Sequence, residues 1–205
     1  MALSRDEADK LKKAPALDGV LPAILERWSP RSFDSRPVSE ELLKKVFEAA
    51  RWAPSSANEQ PWRFLLGRLG DGTYAKIFEA LVEGNKAWAK TAPVLILGAA
   101  KALFSRDNSS NLYAAHDLGA ASAYLVLQAQ ALGLKAHQMA GFDQQAARRL
   151  FGIPDEYLMG SAIALGYQGE PEALGDEKRI AMETSARTRK ALGEIVFSEW
   201  GKAGI

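Results

Sequence analysis

The sequence predicts an α+β fold in a single domain. Three observations carry that expectation: short apolar runs of strand length alternate with segments of helical period; one stretch, Leu112 to Leu132, is apolar on nearly every face; and the composition, 47% apolar and 25% charged, is that of an ordinary globular protein. At 205 residues the chain can enclose one substantial core, and nothing in it resembles a long polar linker between two halves.

In chain order, Leu21 to Arg27 reads as a short helix that stops near Pro30. Ser39 offers an N-cap with Glu40 and Glu41 in the first turn, and Leu42, Leu43, Val46, Phe47 and Ala50 recur at helical spacing before Pro54 ends the run. Trp62 to Leu66 suits a strand and Tyr74 to Val82 a helix. Pro93 to Gly98, PVLILG, reads as a fully buried strand with proline tolerated at its first position. Within Leu112–Leu132 only His116, Asp117, Gln128 and Gln130 break the apolar character. The internal acid and amides argue against lipid exposure, so a central helix buried on all sides is expected. Gly119 and Ala123 would also let another helix approach closely. Leu134–Ala140 and Gly160–Leu165 are expected strands around a short helix, Gln144–Phe151, and Glu170–Ile180 a surface loop. Glu194 to Trp200 has strand propensity but no neighbour in sequence to pair with, which suggests long-range pairing, with another subunit as one candidate.

The charges nearly cancel, 26 Lys+Arg against 25 Asp+Glu, so no bulk attraction to nucleic acid or membrane is implied and any anion must be held by local placement. Cysteine is absent, which removes thiolate, disulfide and iron–sulfur chemistry. Two histidines, His116 and His137, are too few for a histidine-rich metal site, and none is expected. The opening residues carry two acids and no apolar core of a secretory signal, so the cytoplasm is the expected compartment. No dinucleotide fingerprint, phosphate loop or nucleophile elbow is present, which leaves hydrolase readings little support.

Three polar stretches stand out. Arg27-Trp28-Ser29-Pro30-Arg31-Ser32-Phe33 could clamp a phosphate and bind a polyol, or be a solvated basic turn. Pro54-Ser55-Ser56-Ala57-Asn58-Glu59-Gln60-Pro61-Trp62-Arg63-Phe64 is a donor-rich loop before a strand that could read a polar heterocycle or need no function. Arg187-Thr188-Arg189-Lys190 reads by itself as a solvated face, and Asn85 as a structural cap.

Together these stretches resemble the FMN-dependent nitroreductase family over residues 21 to 200. The likeness lies in Arg27-x-Ser29-x-Arg31-x-Phe33, the ungapped run Pro54 to Phe64, Asn85, the Gly141-Phe142-Asp143 run, and Arg187-x-Arg189. It implies one domain over residues 1–205, with its core over about 21–200 and an N-terminal helix in 1–20. It further implies a mixed, mostly antiparallel sheet flanked by helices and a C-terminal strand exchanged in a homodimer. By resemblance, Arg27, Arg187 and Arg189 would hold the FMN phosphate, Ser29 the ribityl chain, and Arg31 and Asn85 the pyrimidine edge. Trp28, Gln138 and Met139 would also line the cofactor, and the backbone of Ala140 and Gly141 would face N5. Pro54, Ser55, Ser56 and Asn58 would reach the FMN of the other subunit. No protein nucleophile is needed, because the flavin carries hydride at N5, and Arg31 would stabilise the charge gained on reduction. The implied activity is NADH- or NADPH-dependent reduction of nitroaromatic, quinone or similar acceptors by a ping-pong route. A flavin carrier or sensor, or a dehalogenating or flavin-cleaving relative, are the alternatives. Gln138 and Ala140 depart from the proline and acid of many members. About a dozen residues separate the PVLILG strand from the long helix, too few for an inserted helical lid, so a comparatively open pocket is expected.

Overall fold

The computed structural model describes residues 3–15 and 18–205. Ser4 caps α1 (Arg5–Lys12): its hydroxyl accepts the Glu7 amide while the Glu7 carboxylate accepts the Ser4 amide. The helix expected within 1–20 is thus confined to eight residues. It ends before Pro15, which disfavours helical backbone in the residue preceding it. Residues 1, 2, 16 and 17 of that expectation lie outside the described residues.

The remaining order is α2 (Pro22–Glu26), β1 (Phe33–Asp34), α3 (Glu40–Arg51), β2 (Trp62–Arg68), α4 (Gly72–Ala80), α5 (Glu83–Ala89) and β3 (Val94–Lys101). Next come α6 (Ala114–Ala131), β4 (Lys135–Met139), α7 (Gln144–Phe151), β5 (Tyr157–Gln168), α8 (Glu177–Glu183), β6 (Phe197–Glu199) and β7 (Lys202–Ala203). Ser39 caps α3 as its sequence predicts, accepting the Leu42 amide at 3.3 Å.

Every strand pairing is antiparallel, which narrows the expectation of a mixed sheet. In the main sheet β5 is central. One edge of it pairs with β3, which in turn pairs with β2; the other edge takes β4 along residues 162–166 and then β1 at Tyr167 and Gln168. The strand β3 is buried along almost its whole length because both faces of the sheet are covered. Val94 and Ile96 point into a core shared with α3 and α6, while Leu95 and Leu97 point into a second core shared with α4, α5 and α7. Truncating Leu95 or Leu97 to Ala would cost about 2–5 kcal/mol by removal of packed volume.

Three expectations change. The helix α6 is not buried on all sides within one chain: Ala114, Leu118, Ala121, Leu125 and Ala129 form its buried stripe, while Tyr113, Gly119, Ala123 and Tyr124 face outward. A single helix contacts the sheet along one stripe, and the rest stays open unless another surface covers it. The segment 170–180 is not all loop. Asp176 accepts the Arg179 amide at 2.8 Å and so starts α8, a cap that the neighbouring Gly175 and Pro171 obscured. The C-terminal segment does have a partner nearby: β6 pairs with β7 through a turn in which Gly201 takes φ +82°, a left-handed backbone that favours glycine.

Candidate active site

Arg27, Ser29 and Arg31 lie between α2 and β1, and Arg187 and Arg189 follow α8, some 160 residues later. The fold brings them together. Arg187 donates from Nη1 to the Arg27 carbonyl and from Nη2 to the Leu25 carbonyl at 2.6 Å, and Arg27 donates to Ser29 Oγ at 3.2 Å. Burial disfavours the charge on Arg27, with repulsion from Arg189 adding to it. Arg187 is likewise shifted down by burial and then by Arg27 and Arg189. Among the described residues, none of the guanidinium groups of Arg27, Arg31, Arg187 and Arg189 has a carboxylate within 4.0 Å. A group of cations assembled this way is complementary to an anion.

Trp28 belongs to the same segment but turns inward. It is 3% exposed and its Nε1 donates to Asp9 on α1, so only its backbone is left to line a site. Met139 is similarly buried, at 3%. Gln138 is exposed and accepts from Ser161 Oγ at 3.1 Å, beside a hollow of about 110 Å³ between α6 and the start of β5.

The turn after β4 is pinned by α5. Asn85 lies inside that helix and not at its cap; its Nδ2 donates to the Gly141 carbonyl at 2.9 Å, and the Val82 amide donates to the same oxygen at 3.1 Å. A Cβ on residue 141 would lie 2.7 Å from Asn85 Nδ2 and 3.0 Å from Val82 Cγ2, so a larger residue here would displace the Asn85 amide from its bond. Asn85 therefore fixes the turn that carries Ala140 and Gly141, a contact that cap reasoning missed.

His137 on β4 ties that strand to the arginine segment. Its Nδ1 lies 2.8 Å from the Pro30 carbonyl, and its ring packs 4.6 Å from that of Trp88. Burial lowers its pKa to about 4, and repulsion from Arg31 and Arg27 acts in the same direction against the Pro30 hydrogen bond. Neutral His137 therefore donates from Nδ1 to Pro30.

Pro54, Ser55, Ser56 and Asn58 stand apart, with no hydrogen bond to the arginine cluster. The Ser56 amide donates to buried Asp117 on α6 at 2.9 Å, and Ser55 Oγ accepts the Gln60 amide at 2.9 Å. Ala57, Asn58 and Gln60 all hold positive φ, 51°, 55° and 53°, which is costly for residues with a Cβ. Among the described residues no cluster of potential metal ligands occurs, and no helix is long and apolar enough to cross a membrane.

The fold defines a class: a helix-flanked antiparallel sheet with an arginine cluster assembled from segments some 160 positions apart. A model of the nitroreductase family matches residues 24–74 and 68–167. The chain is similar to a Xanthomonas oryzae pv. oryzae protein named "Putative NADH dehydrogenase/NAD(P)H nitroreductase", 32% identical over 76% of this chain and 88% of that protein. It is also similar to a solved oxidoreductase containing FMN, 32% identical with a TM-score of 0.83 over 90% of this chain and 94% of that one. A third likeness is to a solved Desulfovibrio desulfuricans protein described as a "putative nitroreductase in complex with fmn", with 27% identity, a TM-score of 0.70, and coverage of 90% and 98%. The chain belongs to the nitroreductase family and is an oxidoreductase of that type.

Proposed function

We propose that this enzyme is a cytoplasmic, homodimeric FMN-dependent NAD(P)H oxidoreductase that reduces nitroaromatic, quinone or related electrophilic acceptors. The arginine cluster carries the reading. Among the described residues the guanidinium groups of Arg27, Arg187 and Arg189 repel one another and have no carboxylate partner, so an anion between them would relieve that repulsion. A terminal phosphate fits planar guanidinium donors. The donor set fits a mononucleotide: Arg27 and Arg189 at the phosphate, Ser29 toward the ribityl hydroxyls, Arg31 at the pyrimidine edge, and the Ala140–Gly141 turn beside the ring. FMN in the two solved relatives supports the same cofactor here, and the Xanthomonas protein's name supports a nicotinamide donor.

When bound, FMN supplies the hydride chemistry. The chain's own residues bind, orient and polarise. Arg187 braces the backbone of Arg27 and Leu25, Asn85 holds Gly141 where a ring can approach, and the Arg31 cation favours the negative charge that the ring gains near N1 and O2. Two features support a second copy completing the site. The Pro54–Asn58 loop is unattached to the cluster in its own chain, and Trp52, Leu112 and Trp200 are 70%, 86% and 98% exposed. Large apolar side chains left in water support an interface that covers them. The C-terminal segment from Glu194 would then cross to the partner.

An anaerobic titration tests the reading. The purified protein is expected to be yellow, to bleach with NADH or NADPH, and to recolour with an acceptor. Initial-rate lines at several acceptor concentrations are expected to be parallel, as one pocket serves donor and acceptor in turn. FMN-loaded protein that stays yellow with both nicotinamides is a carrier and not a reductase.

A further inference from the structure

A fully buried carboxylate lies behind the arginines. Glu183, the last residue of α8, is 0% exposed, and its Oε1 accepts the main-chain amides of Arg31 at 2.6 Å and Ser32 at 2.8 Å. Its Oε2 is buried without a hydrogen-bond partner. Lys12, itself 6% exposed, lies close enough to act on it electrostatically, and Lys12 Nζ donates to the adjacent Met182 carbonyl at 2.6 Å. Burial raises the Glu183 pKa, against which the two amides, Arg31 and Lys12 all work. Taking a carboxylate out of water is unfavourable, so its position calls for a compensating role.

The direction of its bonds supplies one. A carboxylate beside an arginine ordinarily engages the guanidinium and cancels its charge. Glu183 instead binds the Arg31 main chain, and among the described residues the Arg31 guanidinium has no carboxylate within 4.0 Å. The backbone that carries the cation is fixed while the cation stays unpaired. Glu183 also lies four residues before Arg187, so the same carboxylate ties the two cation-bearing segments to each other.

We infer that Glu183 is a positioning residue: by accepting the main-chain amides of Arg31 and Ser32 it sets the reach of the Arg31 guanidinium toward the pyrimidine edge of bound flavin, leaving that guanidinium unneutralised. The inference rests on the proposed FMN site. It makes length and acceptor geometry matter more than charge. Gln has the same reach and an oxygen that can accept both amides; Asp keeps the charge but is one methylene too short.

The experiment compares wild type, Arg31→Ala, Glu183→Gln and Glu183→Asp. FMN affinity is read by quenching of flavin fluorescence, and the midpoint potential of bound flavin by equilibration with redox dyes. Arg31→Ala is expected to lower the potential, because the cation that favours the reduced ring is gone. Glu183→Asp is expected to lower it too and to weaken FMN binding by about tenfold, the effect of one lost charge-assisted hydrogen bond. Glu183→Gln is expected to bind within about threefold of wild type, with a potential no lower, since it preserves both amide contacts. The reverse pattern, Asp like wild type and Gln impaired, overturns the inference. So does a Glu183→Gln potential as low as that of Arg31→Ala, which decides the matter even if Glu183→Asp fails to fold. Wild-type protein that holds no FMN defeats the functional reading itself, whereas a lowered potential in Arg31→Ala with none in Glu183→Asp defeats only the role of Glu183.

Discussion

Arg187 and Arg189 are two positions apart, yet their environments assign them different work. Arg187 donates to the carbonyls of Arg27 and Leu25, so it is bound into the frame of the cluster. Arg189 is exposed, and among the described residues its side chain bonds only the carbonyl of its neighbour Thr188, so on the proposed site its charge is left for the phosphate. Arg189→Ala is therefore expected to weaken FMN binding by about one to two orders of magnitude with little change in the thermal midpoint of the flavin-free protein. Arg187→Ala is expected to lower both, and flavin fluorescence titration beside thermal melts would separate the two. His137 gives a pH signature. Its folded pKa, about 4, lies below the ordinary value of 6.5, so between these values the unfolded chain takes up a proton that the folded chain refuses. Stability is untouched above pH 6.5 and falls as pH drops toward 4, by at most about 3 kcal/mol. Glu183, whose pKa is raised, acts with the opposite sign above its ordinary value of 4.5. The clean measurement is thus the difference between wild type and His137→Gln in urea unfolding across this range. A difference that does not change with pH would show His137 to be indifferent to its burial.

At the scale of elements, α1 is held to the sheet by a polar clasp and not by an apolar stripe. Asp9 accepts from Lys135 Nζ on β4 at 2.8 Å and from Trp28 Nε1, and Lys135 is only 6% exposed. Removing Asp9 leaves a buried ammonium without a carboxylate, held only by its 3.3 Å bond to Gln130 Oε1. Asp9→Ala should cost about 2–3 kcal/mol, and Asp9→Ala with Lys135→Met should recover most of it. Equilibrium unfolding of the two single variants and the double variant measures that coupling. Elements governed by local signals could be read in advance: Ser39 with its following acids starts α3, and PVLILG is β3. The helix α5 was missed because Gly84 interrupts its pattern, and α8 because Pro171 and Gly175 made its approach read as loop. The arginines were visible as residues, but their meeting depends on contacts across some 160 positions, which no local spacing encodes. Glu183 gave no signal, since a lone acid after Ala-Met is ordinary on any surface helix until tertiary packing buries it.

For the whole molecule, the outward face of α6 and the segment beyond Lys190 set the expected assembly. Leu192, Ile195 and Trp200 are 55%, 58% and 98% exposed in a single chain, and a stable interface covering them with α6 would bury more than about 2,000 Å². Truncation after Lys190 keeps every arginine of the cluster but is expected to yield a monomer that has lost its flavin. Sedimentation velocity with visible absorbance would report both, and a yellow monomer would refute the shared site. The clasp between the ends of the chain bears on synthesis as well. Glu183 meets Arg31 across 152 positions, and Arg187 meets Arg27 across 160. A nascent chain that has emerged only through Met182 already contains all the strands of the main sheet but lacks both closures. Contacts this distant in sequence form late. Capture of the proposed cofactor is then expected to wait for the segment beyond Met182, and a fragment that stops there is expected to stay colourless however well its sheet has folded.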